Sequence, residues 1–329
     1  MTTTTYTVVS QRTTAWAATK MLEHAEPIIV LSRYGQSKPI PKNTAEGVKF
    51  RRPVPFTVST IPAAEGVTPT SQVMQYEDVP ATLYQYIGVT TITDKVQNQS
   101  EDPVLSDASE LSGEQAAETI EMVTYGVVKA GTNIFYTNGS ATTDVNTTIT
   151  LNAQRAIVRN LKLSRTKKIT KRMASSVNYD TYAVDASYFG FCSTDMVADV
   201  RNITGFTPVE KYGSMKAEPY EIGKVEDVRY IESPLFVAWP DAGAATSDMI
   251  TTTGSDADVY PIIYIGKEAF GTVPLKGAKA ITPMILAPDV PRGGDPAGQR
   301  GTVAWKVWYQ AVILNQTWMA ILKSAATDL

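Results

Sequence analysis

The sequence predicts an α+β protein, in which helical and extended segments occupy different parts of the chain. Apolar residues, among them Ile120, follow helical spacing between residues 102 and 131. Apolar and polar residues alternate between residues 50 and 93, and short apolar runs at 228–231 and 259–265 also predict strands. The chain has 329 residues, of which 43% are hydrophobic, so it is long enough to bury a large core.

Composition limits the functions that the chain can perform. The net charge is −3, from 30 basic and 33 acidic residues, which excludes a globally basic nucleic-acid-binding protein. One cysteine, Cys192, excludes a disulfide within the chain, and one histidine, His24, excludes a metal site of several histidines. No apolar run reaches the ~18 residues of a membrane span, and no signal peptide is visible. We therefore expect a protein of the reducing cytoplasm that does not contact a membrane.

Residues 1–45 are expected to fold poorly alone. They combine a threonine-rich start with one short apolar patch, which buries too little surface to offset the entropy of ordering. A frayed terminus is one interpretation, and an arm that becomes ordered on another subunit is the other.

Residues 50–93 predict two strands joined by a long excursion. Val54, Phe56 and Val58 alternate with polar residues and predict the first strand, and residues 81–93 predict the second. Prolines beside these residues exclude a central position in a sheet. Because a two-stranded ribbon is marginally stable alone, we expect it to project and pack on a neighbouring chain.

The segment 102–131 has the clearest helical signal. Asp102 and Pro103 suit an N-cap and a first helical position, and Gly131 suits the C-terminal stop. A helix of about 28 residues is about 42 Å long. Residues 94–121 carry eight acidic residues and one lysine.

Residues 155–172 have the opposite charge, with eight basic residues and no acidic one. They follow the start of a partly amphipathic helix near Asn152. Sequence-specific nucleic-acid binding is one interpretation, but interleaved aromatic residues are missing. We favour a solvated face, or neutralisation by the acidic helix at 102–121 in the same chain or the next.

Signatures of catalysis are missing from the sequence. There is no Gly-x-Ser-x-Gly motif, and His24 is far along the chain from Cys192, for which we expect burial as a small hydrophobic residue. The glycine-rich segment 293–301 lacks the lysine and the serine or threonine of a phosphate-binding loop. The aspartates of segment 241–258 do not match a calcium-loop spacing and are expected to be solvated. We expect no catalytic residues, no metal and no cofactor. A hydrolase acting through paired carboxylates stays a much weaker alternative, since nothing singles out a pair.

An ordered set of segments resembles one protein family over residues 45–323. They are Thr60-Ile-Pro-Ala-Ala-Glu-Gly-Val-Thr-Pro69, Glu101-Asp-Pro-Val-Leu105, Gly113-Glu-Gln-Ala-Ala-Glu-Thr119, Ala130-Gly-Thr-Asn133, Glu221-Ile-Gly-Lys224, Val228-Arg-Tyr-Ile-Glu232, Ala257-Asp-Val-Tyr260, Gly266-Lys-Glu-Ala-Phe-Gly271, Asp295-Pro-Ala-Gly-Gln-Arg-Gly-Thr-Val303, Ala304-Trp-Lys306 and Ile313-Leu-Asn315 with Trp318-Met319. In this order and spacing they are similar to the major capsid proteins of tailed bacteriophages. The set is specific, although no single motif is.

The resemblance implies the Hong Kong 97-type capsid fold and a division of the chain that follows it. The division is an N-terminal arm (1–45), an extended hairpin loop (46–93), a peripheral domain with a long spine helix at about 102–131 (94–175), a mainly axial domain (176–298) and a C-terminal return to the peripheral domain (299–329). It also makes 303–309 a strand, where periodicity alone fits either a strand or a helix.

The resemblance implies a shell subunit of a double-stranded DNA virion, assembled in the host cytoplasm. Expected partners are other copies in hexamers and pentamers, portal, scaffolding and decoration proteins, and packaged DNA through weak contacts. A nanocompartment shell protein of the same fold is the alternative. The residues expected at the subunit interface are Arg51, Arg52, Phe56, Glu65, Tyr84, Tyr86, Glu114 and Glu118.

Overall fold

A computed structural model describes residues 29–60, 62, 65–68, 70–173, 181–213, 216–276, 281–291 and 293–329. His24 and the first 28 residues of the predicted arm lie outside these described residues. The elements up to residue 129 are a 3-10 turn (Leu31–Tyr34), β1 (Gln36–Ser37), β2 (Ile40–Pro41), β3 (Gly47–Pro53), β4 (Tyr76–Thr82), β5 (Tyr84–Thr93), α1 (Asp94–Gln99) and α2 (Val104–Lys129).

The strands after residue 129 fall in blocks: those up to residue 265 and the last strand belong to one main sheet, and the three between residues 270 and 313 belong to the other. The elements in this part of the chain are β6 (Ile134–Tyr136), α3 (Leu151–Leu163), β7 (Ile169–Met173), β8 (Thr181–Ser193), α4 (Val197–Arg201), β9 (Thr207–Pro208), β10 (Glu221–Val225), β11 (Val228–Ser233), β12 (Tyr260–Ile265), β13 (Phe270–Lys276), β14 (Thr282–Leu286), β15 (Arg300–Ile313) and β16 (Met319–Ser324). The α+β prediction is therefore confirmed.

The long helix α2 packs on a six-stranded sheet centred on β15. β5 pairs with one edge of β15, and β14 and β13 pair with the other, while β1 and β2 extend the sheet from β13. Odd-numbered residues of β15 from 301 to 311 are buried, and Val303, Trp305 and Val307 contact Ala117 and Ile120 of α2 in one core cluster. This alternation confirms the strand predicted at 303–309.

The second sheet has eight strands in the order β6-β16-β12-β8-β11-β10-β9, with β7 paired to β8. The strand predictions at 228–231 and 259–265 are confirmed by β11 and β12. The amphipathic helix α3 packs on this sheet through Ile157 and Leu161, and its N-cap Thr150 accepts a hydrogen bond from the Ala153 amide at 3.3 Å.

Sheet membership crosses the predicted domain boundaries. The prediction groups β6, α3 and β7 with the spine helix, but all three pack with the eight-stranded sheet. Conversely, β13 and β14 belong to the six-stranded sheet of α2, and the C-terminal strand β16 lies between β6 and β12 in the larger sheet. Among the described strands, the chain passes between the two sheets three times, after β5, after β12 and after β15, and the division into domains stays a prediction.

The hairpin differs from its predicted bounds. Its first strand is β3, which ends at Pro53, and the predicted strand at residues 54–58 is not assigned to any strand, although the Val54 amide donates to the Gln75 carbonyl at 2.9 Å. The predicted return strand is divided at Leu83 into β4, which pairs with β3, and β5, which pairs with β15. The prediction that this whole ribbon lacks a partner within the chain is therefore wrong for β5.

Smaller corrections concern helix ends, the arm and one loop. Pro103, not Asp102, is the N-cap of α2, and it makes no side-chain cap. Residues 29–41 are anchored, since β1 and β2 pair with β13. Asp258, expected in solvent, is 6% exposed and accepts hydrogen bonds from the amides of Asp241 and Thr252, because the loop folds around its carboxylate.

Candidate subunit interface

The β3–β4 hairpin projects from the six-stranded sheet. Every described residue from 53 to 78 is exposed, so this part of the hairpin contacts no core of its own chain. The base is fixed, because Phe50, Ala81 and Leu83 are buried together with Ile40 and Val273. The hairpin therefore has a base that is packed against its own chain and a long outer part that is exposed to solvent in a single subunit.

Arg51 and Arg52 both have carboxylate partners within the hairpin. Arg51 donates from Nε and Nη2 to Asp78 at 2.7 and 2.9 Å, and Arg52 pairs with Glu77. The hydrogen bond from Arg51 holds the pKa of Asp78 below its usual range. The Arg52 guanidinium also lies 5.4 Å from the ring centroid of Trp318. Pairing of either arginine with Glu114 or Glu118 of another copy stays a prediction, and it has to compete with these contacts.

The other predicted interface residues differ in exposure. Phe56 is 59% exposed and Tyr84 is 54% exposed, and Glu65 and Glu118 are also exposed. Tyr86 is half-buried, because its face of β5 packs towards α2. Glu114 is also half-buried on α2. Exposure alone does not show a contact, so their interface role stays a prediction.

In the part of the chain that the structure describes, the ion pairs of the basic segment are with Glu218, Glu226 and Asp227 and not with the acidic helix, so neutralisation by that helix in the same chain is not what these pairs show. Arg155 donates from Nε to Glu226 at 2.9 Å, while Lys162 and Lys168 both bind Asp227. The hydrogen bonds from Lys162 and Lys168 lower the pKa of Asp227. Glu226 and Asp227 lie in the tight turn between β10 and β11, which no local charge pattern indicated.

Half of the eight basic residues have no carboxylate partner among the residues that the structure describes. Arg159, Arg165, Lys167 and Lys171 are exposed and form no ion pair within the described residues. Arg172 pairs with the buried Glu218. The surface of α3 and β7 is therefore basic, but less so than the sequence suggests.

A buried carboxylate anchors the N-terminal segment under α2. Glu121 is fully buried and accepts a hydrogen bond from the Leu31 amide at 2.5 Å and a longer one from the Ser32 amide at 3.4 Å. Burial raises the pKa of Glu121 to about 7, against the opposing effect of these amides. This role was not predicted from the sequence, although helical spacing with Ala117 and Val128 indicates that Glu121 belongs to the buried face.

The part of the chain that the structure describes offers few side chains for metal binding or nucleophilic chemistry. Among those residues, no group of three or more His, Cys, Asp and Glu side chains is placed to hold a metal ion. Cys192 is buried as expected, and burial raises the pKa of its thiol to about 12. Within the same residues, no helix is both long and apolar enough to cross a membrane.

The fold matches solved virus capsid structures. The capsid of Ralstonia phage GP4 superposes with a TM-score of 0.66 at 11% identity, covering 92% of this chain and 90% of that one. The cyanophage Pam1 capsid gives 0.62 at 12% identity, covering 93% of each chain. The molecule thus has the fold of a tailed-phage capsid subunit, the Hong Kong 97-type fold expected from the sequence.

Sequence comparison gives the same result at the family level. The family model described as phage capsid protein matches residues 76–324, and the chain belongs to this family. The major capsid protein of Pseudomonas phage KPP21 is 23% identical over 198 residues, which cover 56% of this chain and 50% of that protein. The match thus spans about half the length of this curated relative.

Proposed function

We propose that this phage capsid protein is the major shell subunit of a tailed double-stranded DNA bacteriophage. Copies assemble in the host cytoplasm into hexamers and pentamers of a closed icosahedral shell that becomes part of the virion. The observation that carries the proposal is the projecting hairpin, whose described residues from 53 to 78 are all exposed, on a capsid fold. The role is structural and needs neither a catalytic group nor a cofactor.

The composition of the hairpin supports contact with a neighbouring subunit. Large apolar side chains are exposed along it, namely Val54, Phe56, Val58, Val67, Val73, Met74 and Tyr76. A monomeric soluble protein rarely exposes so many apolar groups on one projecting segment, because each of them contacts water at a cost in free energy. Burial on an adjacent copy removes that cost.

Further partners follow from the shell role. A phage shell is joined by a portal, is guided in assembly by a scaffolding protein and is stabilised by decoration proteins in some cases. Contact with packaged DNA is weak in this proposal, because the net charge is −3 and part of the basic surface is already paired.

Electron microscopy of the expressed protein tests the proposal, with closed particles as the expected result. The variant Phe56→Ser/Val58→Ser should fold but assemble poorly, because it removes apolar side chains that are mostly exposed in a single copy. The control Thr57→Ser/Ser59→Thr changes the intervening polar positions and should assemble like wild type. Normal particles from the apolar-to-serine variant would contradict the hairpin's role, and wild-type protein that stays monomeric would contradict the shell function.

A further inference from the structure

Strand β5 lies at an open edge of the six-stranded sheet. It pairs with β15 over all ten residues, from Tyr84 opposite Tyr309 to Thr93 opposite Arg300. Its other edge has no strand partner within the described residues. A strand in this position presents unpaired amides and carbonyls along one side.

The alternation of hydrogen bonds between β5 and β15 identifies which backbone amides and carbonyls of β5 are unpaired. The Asp94 amide donates to the Gln299 carbonyl at 3.0 Å and continues the register of β5 with β15. Because partners alternate along an antiparallel strand, even-numbered residues of β5 face β15 and odd-numbered ones face outward. The Leu83 amide agrees with this phase, since it bonds to Glu46 on the outer side.

The outward groups therefore belong to Gln85, Ile87, Val89 and Thr91, and they have no backbone partner in the described chain. β5 also lacks the usual features that protect an edge, because its ten residues include no charge and no proline.

An exposed apolar face adjoins this edge. Ile87 is 58% exposed and Val89 is 61% exposed, on the side of the sheet away from α2. Val89 lies opposite Ala304, which lies opposite Met284 on the next strand, so these three side chains share that face. Leu286 of β14 extends the same face and is 48% exposed.

The hairpin strands and β14 are poorer partners for this edge. The hairpin strands β3 and β4 carry charged residues and contain Pro53 and Pro80, and β14 contains Pro283. A proline lacks the amide that a new ladder needs. By contrast, β5 is uncharged, and an antiparallel strand is complementary to its own copy across a two-fold axis.

We propose that β5 pairs antiparallel, edge to edge, with β5 of a second copy of this chain. The pairing joins two six-stranded sheets into one and brings the Ile87 and Val89 side chains of both copies together. This inference rests on the proposed shell function and names one contact between subunits.

The proline variant Val89→Pro tests the pairing. It removes one outward amide and no bond to β15, so the variant should keep the wild-type fold by circular dichroism. The matched variant Val89→Thr keeps the amide and a β-branched side chain. We expect loss of particles with Val89→Pro and normal particles with Val89→Thr. Normal particles from Val89→Pro would overturn the pairing and leave the shell function intact.

Hydrogen exchange of wild-type protein tests the pairing without any substitution. The amides of Ile87 and Val89 should exchange about tenfold or more slowly in assembled particles than in unassembled subunits. The amides of Tyr86 and Gly88, already bonded to β15, should change less. Equal exchange of the Ile87 and Val89 amides in both states would overturn the proposal.

Cross-linking identifies the occupant of the edge. In particles of Val89→Cys, a short bis-maleimide should join two subunits, because the middle of β5 lies beside its own copy. Leu163→Cys, exposed on α3, serves as the control and should give far fewer dimers. Protected outer amides without dimers from Val89→Cys would overturn the second β5 as the partner.

Discussion

Glu121 shows how one buried side chain couples the stability of the fold to pH. Its pKa is about 7 in the fold and about 4.5 in an unfolded chain, because burial disfavours the carboxylate. Between about pH 4.5 and about pH 7, the Glu121 carboxyl keeps its proton in the folded state and has lost it in the unfolded state. The contribution of the protonated Glu121 side chain to the stability of the fold is therefore fully present below about pH 4.5 and is lost as the pH rises through about 7. Within this window, a rise of one in pH lowers the free energy of unfolding by about 1.4 kcal/mol.

Replacing this group should remove that dependence. We expect Glu121→Gln to keep the hydrogen bond from the Leu31 amide through its amide oxygen, with no proton to lose. Urea unfolding of both proteins between about pH 5 and pH 8 measures the effect. The wild-type free energy of unfolding should fall over this range relative to that of the variant, and parallel curves would disprove the assignment.

At the scale of elements, the contact between β5 and α2 depends on one small residue. A Cβ at Gly88 would lie 2.3 Å from Nε1 of Trp305 and 2.7 Å from Oε1 of Gln115, which are joined by a 2.9 Å hydrogen bond. We expect Gly88→Ala to lower the free energy of unfolding by about 1–3 kcal/mol, because the helix and the sheet must separate locally. Gly126→Ala is the matched control, since a Cβ there meets nothing within 4 Å. It should stabilise α2 by about 0.5–1 kcal/mol, and equal effects in denaturant titrations would refute the argument.

Elements were predictable where a local period is strong. The alternation predicted at 303–309 lies within the longer strand β15, and the helix predicted at about 102–131 spans 104–129 in the structure. The hairpin bounds were not predictable. Val54 and Phe56 alternate with polar residues, but both kinds of residue are exposed on a projecting segment, and no strand pairing among the described residues produces the alternation. The partners of the basic segment were also hidden, since Glu226 is 71 positions from Arg155 and only the tertiary fold joins them.

For the whole molecule, the charge distribution predicts how strongly an assembled shell binds DNA. Four residues of the basic segment, Arg159, Arg165, Lys167 and Lys171, form no ion pair with any residue that the structure describes. If all four bound phosphate, the log–log salt dependence of DNA binding would have a slope of about −3.6. We expect a much shallower slope for opened empty particles, because the surrounding surface contains Glu226 and Asp227. A steep slope that is lost when the four residues become alanine would instead show that this surface binds the genome.

The single residue between β4 and β5 has a mechanical consequence. Leu83 is buried, and its amide donates to the Glu46 carbonyl, so it fixes the base of the hairpin where the chain passes from β4 to β5. Gly66 lies about 17 residues before Leu83 in the chain, which sets a reach of at most about 60 Å. Over that length, a bend of about 10° beyond the fixed base moves the tip by about 10 Å. A small bend of the projecting hairpin therefore shifts the position of its exposed apolar side chains without any change in the packing of the two sheets.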